Sequence, residues 1–261
     1  MSAAPLRVLT LNLQHGRPAA TQDPAAQDGP GALLAATRQI TALDPDLVLL
    51  QEVDRRQARS GGTDQAAVLA GGLGLSSARF APAFAGPVQG LHRRPRRSDD
   101  QAVPGYGVAL LSRHPVRSWH VRRLRRARPR LRRGRVLPWS LRPDEARVLL
   151  VARVDAPGGM LTVGVTHLST RPATARDQLQ ECERALRALP GPYLLGGDLN
   201  LEPPAVAAVT SLNPLARALT FTNRRPRRQI DHLLGSATLR PDGPGAAHHL
   251  AVSDHAALGV T

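Results

Sequence analysis

Lysine is missing from all 261 residues, so every one of the 35 Lys-or-Arg cations is an arginine. The preference for Arg over Lys, like the abundant Ala, Gly and Pro, fits a GC-rich coding bias. That bias does not account for 35 cations set against only 20 acids, a formal net charge of +15. Such an excess favours an anionic partner: nucleic acid, a phosphorylated metabolite or an acidic lipid surface. Cysteine occurs once, as Cys182, which rules out an internal disulfide framework. Aromatic residues make up 3%, so the core has to be built from Leu, Val and Ala. No run of about 18 apolar residues exists, which excludes a membrane-spanning helix by length. The opening MSAAPLRVLTLNL has no signal-peptide layout, and a cytoplasmic location is the expectation. Walker A, GxGxxG, GxSxG and HExxH segments are all absent. P-loop, dinucleotide-binding, serine-hydrolase and zincin chemistry therefore find no support.

Strand-like and helix-like segments interleave from end to end. Residues 6–13, 47–53, 106–111, 148–154, 161–168, 193–195 and 230–234 read as strands, and 253–260 closes the set. Residues 31–43, 64–70 and 173–189 read as helices, the second ended by Gly71-Gly72 and the third by Pro190-Gly191. Alternation of this kind argues an α/β fold. Neither a repeat nor a linker is visible, so residues 1–261 read as one domain. Three segments break the pattern: 14–30, 86–104 and 122–135, the last with nine Arg and no acid. They are too polar or charged to pack inside, so Arg-rich surface loops are expected near 86–104 and 122–147.

Polar residues stand at the ends of apolar runs. Asn12 follows VLTL, Glu52 follows LVLLQ, His167 follows VGVT, and Asp198 and Asn200 follow YLLGG. Asp231 lies beside His232, and Asp254 and His255 precede AALGV. A single such residue is usually a cap or a turn; six strand-associated positions point to a site, because α/β folds gather their chemistry at strand ends. Glu52, Asp198, Asp231 and Asp254 brought together would repel one another unless a cation lay between them. Oxygen donors suit magnesium or manganese, and the lack of a thiolate cluster argues against zinc. Histidines and an amide beside such an ion suit attack on phosphorus, with a carboxylate activating water and a histidine held by a second acid.

The segments LTLNLQ (9–14), LLQEVD (49–54), YGVALLS (106–112), VTHLS (165–169), GGDLN (196–200), IDHLL (230–234) and SDHAAL (253–258) carry a resemblance to the endonuclease/exonuclease/phosphatase superfamily. They occur in that family's order across nearly the whole chain. The resemblance implies a four-layer α/β sandwich, two packed mixed sheets flanked by helices, and a hydrolase acting on phosphate esters with Mg2+ or Mn2+. It implies Glu52, Asn12 and Asp254 around the metal, and Asp198, Asn200, His255, His167, Asp231 and Asp254 as the catalytic group. For the substrate phosphate it implies His167, Asn200 and His255, and we add Arg228 and Tyr106. Tyr106, between Gly105 and Gly107, reads equally well as a packed strand aromatic. His15, His232, His248 and His249 read as solvent-facing or supporting groups.

Arg224, Arg225, Arg227 and Arg228 precede Asp231 and so fall near the mouth of such a site, where they could grip flanking phosphates. Trp119 and Trp139 are the only aromatic candidates for base stacking beside the Arg-rich stretch. A nuclease acting on DNA or RNA is the first reading, as a monomer without stable membrane insertion. A lipid head-group or small-molecule phosphodiesterase or phosphatase is the second. A non-catalytic nucleic-acid or lipid-binding module is a minor third, because a degenerate relative would be expected to lose acids or histidines that this chain retains.

Overall fold

The computed structural model describes residues 4–19, 29–88, 94–95, 103–127, 130–132, 140–142 and 144–261. Of the arginines expected on surface loops, Arg93, Arg96, Arg97, Arg128, Arg133 and Arg135 lie outside the described residues, as does Trp139.

The strands are β1 (Val8–Asn12), β2 (Leu47–Arg55), β3 (Ser77–Ala85), β4 (Arg94–Pro95), β5 (Gly105–Ser112), β6 (Val116–Arg123), β7 (Arg130–Arg132), β8 (Ser140–Arg142), β9 (Val148–Ala156), β10 (Gly159–His167), β11 (Tyr193–Asp198), β12 (Asn213–Pro214), β13 (Asp231–Gly235), β14 (Ala246–His248) and β15 (Ala257–Val260). The helices are α1 (Gly29–Leu43), α2 (Gln65–Leu73), α3 (Pro172–Arg187) and the short α4 (Pro203–Ala207). One sheet runs β14-β15-β1-β2-β5-β3-β4, a second runs β12-β13-β11-β10-β9-β6, and β7 and β8 form a two-stranded pair. Each large sheet is mixed: β1 and β2 are parallel, as are β10 and β11, while their other neighbours run antiparallel.

Period-two alternation sorts the strand residues into layers. Val8, Leu47, Leu49 and Leu110 of the first sheet meet Leu150, Val163, Val165 and Leu233 of the second in the central core. The alternate residues Leu9, Leu11, Val48 and Leu50 face Leu33, Ile40 and Leu69 of α1 and α2. On the far side Leu149, Val151 and Leu195 face Leu179, Cys182 and Leu186 of α3. Helix, sheet, sheet, helix is the four-layer α/β sandwich expected. No helix among the described residues is long and apolar enough to cross a membrane.

Several expectations are corrected. α2 does not stop at Gly71-Gly72 but runs to Leu73 and is capped by Gly74 at φ +63°. A Cβ on Gly72 would come within 2.5 Å of Thr37 Cγ2, so this glycine permits close approach of α1 rather than ending the helix. β3 and β6 were not anticipated. β3 is Ala-rich and holds Pro82 at a register shift. Among the described residues β6 is an edge strand paired only with β9, and Arg117, His120 and Arg122 on it stay in solvent. Arg122 and Arg123 therefore end a strand instead of opening a loop, with Leu124 buried behind them. At the C-terminal side the strand begins only at Ala257, so Asp254 and His255 sit on the loop before it.

Candidate active site

The parallel pairs bring three polar strand ends to one edge of the sandwich. Asn12 ends β1 beside Gln51 of β2, and His167 ends β10 beside Asp198 of β11. β13 is antiparallel to β11 and starts at Asp231, directly opposite Asp198. β15 is antiparallel to β1, so the preceding His255 arrives at the same edge. The first sheet thus supplies Asn12, Glu52 and His255, and the second supplies His167, Asp198 and Asp231.

Local backbone irregularities aim these groups. In β2 the register with β5 shifts between Leu50 and Val53, and Glu52 lies in that bulge at φ +53°. A bulge turns a side chain that would otherwise follow the strand's alternation. Gly197, at φ +147°, packs so closely on β10 that a Cβ would fall 1.9 Å from the Thr166 carbonyl oxygen. Asn200 is also left-handed, at φ +51°. Its backbone N–H donates to Asp198 Oδ1 at 2.9 Å and its side-chain amide donates to the Leu168 carbonyl at 3.1 Å.

Asp198 is the hub. Asn12 Nδ2 donates both to its Oδ2 and to Glu52 Oε1, each at 3.1 Å. His167 Nε2 lies 3.3 Å from the same Oδ2, and His255 Nε2 lies 3.9 Å from it. His255 Nδ1 donates to Asp231 Oδ2 at 2.9 Å, and Thr220 Oγ1 donates to that oxygen at 2.6 Å. Phe221 packs on the His255 ring at a centroid distance of 4.9 Å. This fixes the imidazole with Nε2 toward Asp198 and Nδ1 on its carboxylate, an arrangement that selects one tautomer.

The electrostatics follow from burial and neighbouring charge. Burial and then the Asp231 charge push the Asp198 carboxyl up to about 7. Burial draws His255 down, but Asp231, with Asp198 and Asp254 behind it, outweighs that and raises it to about 9. His167 is held well below the usual imidazole range by burial, then by the charges of Arg147 and His255. Near pH 7 the site therefore contains a basic carboxylate, an imidazolium and a neutral imidazole.

The donors fit a hard divalent cation. Two carboxylates, Glu52 and Asp198, share a single amide donor. Asp231 Oδ1 is buried with no hydrogen-bond partner among the described residues. Asp198, Asp231 and His255 each place a ligating atom within 4.8 Å of the others. Since His255 Nδ1 is already bonded to Asp231, this trio is better suited to moving and holding protons. Glu52, with 24% of its side chain exposed, is the carboxylate open to an incoming ion.

Other expected residues are placed differently. Asp254 stands at the rim, 45% exposed, with Oδ1 4.0 Å from His255 Nε2. Tyr106 is buried, stacked on Phe84 at 6.2 Å with Arg59 over its ring at 5.2 Å, so its ring is a packing surface. Arg228 is exposed but not free: its Nε donates to Glu202 at 2.7 Å. His232 is buried with Nε2 on the Leu201 carbonyl at 2.8 Å. His249 Nδ1 lies 2.9 Å from Asn223 Oδ1. Three neighbours escaped the sequence reading. Thr220 buttresses Asp231, Arg59 is held by two 2.8 Å bonds to buried Asp54, and Arg147, expected on the surface loop near 122–147, is instead 94% buried by side chain, its Nε without a partner among the described residues. Nothing in ALTFTN marks Thr220, and nothing in the EAR before β9 separates Arg147 from the arginines of the preceding loop.

Comparison with known proteins agrees. The family model described as "Endonuclease/Exonuclease/phosphatase family" matches residues 9–255. No curated protein sequence matches. Among solved structures, an endonuclease/exonuclease/phosphatase from Bacteroides vulgatus shares 15% identity at TM-score 0.69, covering 98% of this chain and 97% of its own. Sphingomyelinase C from Streptomyces griseocarneus shares 17% at TM-score 0.62, covering 98% and 99%. A mannosyl-6-phosphatase from Bacteroides thetaiotaomicron shares 16% at TM-score 0.64, also covering 98% and 99%. At these identities the structures establish the fold. With the family match across 9–255, they close the question of kinship: the chain belongs to the endonuclease/exonuclease/phosphatase family, hydrolases of phosphoester bonds.

Proposed function

We propose that this chain is a magnesium-dependent phosphodiesterase acting on nucleic acid, with Asp198 as the group that deprotonates the attacking water. One observation carries the chemistry: a buried Asp198, made basic by burial and Asp231, faces a His255 imidazolium oriented by that same Asp231. A general base works best with a pKa near the working pH, and Asp198 has one. The imidazolium at His255 Nε2 binds a phosphoryl oxygen and stabilises the charge that builds there. Neutral His167 donates a hydrogen bond to a second oxygen or to the leaving group. Asn200, through Asp198 Oδ1, keeps the base in position. Family members are divalent-metal dependent, and here Glu52 with Asn12, joined by Asp254 at the rim, would hold the ion. When bound, such an ion supplies Lewis-acid stabilisation of phosphate oxygens.

The net charge of +15 supports nucleic acid as the substrate, because duplex and single strands offer the phosphate density that such a surface attracts. A second reading, a lipid head-group or sugar-phosphate ester, is supported by the fold shared with the sphingomyelinase C and the mannosyl-6-phosphatase. Offering the protein plasmid DNA, RNA, sphingomyelin, inositol phosphates and mannose 6-phosphate in magnesium or manganese separates the two. Cleavage of DNA or RNA at the highest kcat/KM is the expected outcome. Turnover of a lipid or sugar ester with no nucleic acid cleaved contradicts the nuclease assignment.

A further inference from the structure

We infer that a groove beside Asp254, walled by Arg17 and Arg224, is a second anion subsite that receives the phosphate next to the scissile one. The inference rests on the phosphodiester reading for its biological meaning, but not for its binding test. The groove has a volume of about 270 Å3 and is lined by Gln14, Arg17, Thr222, Arg224, Ser253 and Asp254, among others. It adjoins the catalytic edge, because Asp254 lies on its wall and also 4.0 Å from His255 Nε2.

Three separate chain segments make it, and hydrogen bonds join them. Ser253 N–H donates to the Arg17 carbonyl at 2.8 Å, and Asp254 N–H donates to Gln14 Oε1 at 3.1 Å. Asn223 N–H donates to the Asp254 carbonyl, and Asn223 Nδ2 reaches the carbonyls of Leu250, Val252 and Ser253. The buried Asn223 amide is thus fully committed to holding the walls. Donors that could meet an anion include the two guanidinium groups and the Thr222 hydroxyl, whose bond to the Arg225 carbonyl is long at 3.4 Å.

Neither arginine of the groove is neutralised by a carboxylate, as several others are. Arg7, Arg113, Arg117, Arg122 and Arg228 each lie within 2.9 Å of a carboxylate. Among the described residues, neither Arg17 nor Arg224 has an acid within ion-pair distance. Two exposed arginines lining one groove, with Asp254 the one carboxylate among its lining residues, give it a net positive charge and several N–H donors. Guanidinium forks match phosphate oxygens in charge and geometry. A substrate with one phosphate fills only the catalytic position, whereas one with a neighbouring phosphate fills both.

Calorimetry in calcium, a hard cation that takes the same kind of oxygen ligands, can compare thymidine 3′,5′-bisphosphate with thymidine 5′-phosphate. The wild-type protein should bind the bisphosphate at least about 10-fold tighter, a gain of roughly 1.4 kcal/mol. In the Arg17→Gln/Arg224→Gln double variant that preference should shrink to within about twofold, and Arg17→Lys/Arg224→Lys should keep part of it because the charge remains. Equal affinities in the wild type, or a preference that survives the double Gln change, overturns the subsite. Failure to cleave bis-p-nitrophenyl phosphate while the bisphosphate preference holds contradicts the activity proposed above and leaves the subsite standing.

Discussion

Asp231 serves two partners through one oxygen: Oδ2 accepts from both Thr220 and His255. Replacing Asp231 with Asn keeps the shape but removes the charge that sustains the His255 cation. The expected result is a fall in kcat of about 10²–10⁴-fold, the usual weight of a positioned acid or base, with the melting temperature little changed. Steady-state rates on a chromogenic diester check it, and wild-type kcat in this variant would sink the assigned role. Cys182 provides a contrast at the same scale. Burial pushes its thiol up to about 12, and it lies in the α3 core contacts. Because the thiolate is the reactive form, the native protein should resist a thiol reagent at pH 8 and react fully once unfolded. Rapid native labelling would show that α3 opens readily. Individual side chains were readable in the sequence where they interrupt apolar runs, as Asp198 after YLLGG does. Thr220 and Arg147 interrupt nothing, and their relation to the site arises only from pairing across distant segments.

Elements reveal where that legibility ends. The apolar run LVLLQEV was enough to mark β2 as a central strand, but the bulge that turns Glu52 depends on register with β5, a distant segment of the chain. A strand's own sequence carries no record of its partner's register. Likewise Gly71-Gly72 resembles a helix stop until Thr37 of α1 is seen packed on Gly72. The close approach at Gly197 makes a sharp prediction. Gly197→Ala would set a methyl 1.9 Å from the Thr166 oxygen in a backbone conformation that L residues avoid. A destabilisation of more than about 3 kcal/mol is expected in denaturant melts, since clash and backbone strain add. A loss below 1 kcal/mol, as an order-of-magnitude threshold for an ordinary substitution, would contradict the described β10–β11 contact.

Glu183 tests the helix layer. Its carboxylate accepts from Thr210 Oγ1, Ser211 Oγ and Ser211 N–H, and from Arg187 on the next turn of α3. Burial raises the acid, but these donors outweigh it and leave it below the usual 4.5. A depressed acid stabilises the fold above its unfolded pKa, and that stability disappears as pH falls through the folded value. Glu183→Gln should therefore cost about 1–3 kcal/mol at pH 7, the range for breaking a hydrogen-bonded charge. Its deficit relative to wild type should narrow as pH drops below roughly 4.5. A deficit independent of pH from 7 to 3 would rule out this account of Glu183.

At the scale of the molecule, two sheets meet so that one edge receives polar groups from both. The alternation of strands and helices already pointed to α/β, but which strands lie side by side was not readable from it. It is the juxtaposition of β11 with β13 and of β1 with β15 that unites Asp198, Asp231 and His255. The charge of +15 makes its own prediction. For a nucleic-acid substrate, log kcat/KM under subsaturating conditions should fall steeply and linearly with log salt, each neutralised phosphate contributing a slope of about −0.9 on duplex DNA or −0.7 on single strands. A small diester should be nearly insensitive. Equal salt dependence for the two would remove the arginine surface from substrate binding.

The central claim, phosphoester hydrolysis at Asp198 and His255, has one direct measurement: initial rates on bis-p-nitrophenyl phosphate with and without magnesium or manganese, for the wild type, Asp198→Asn and His255→Ala. Hydrolysis should need the cation and fall about 10²–10⁴-fold in each variant while both remain folded. Cation-independent turnover, or wild-type rates in both variants, would contradict that claim.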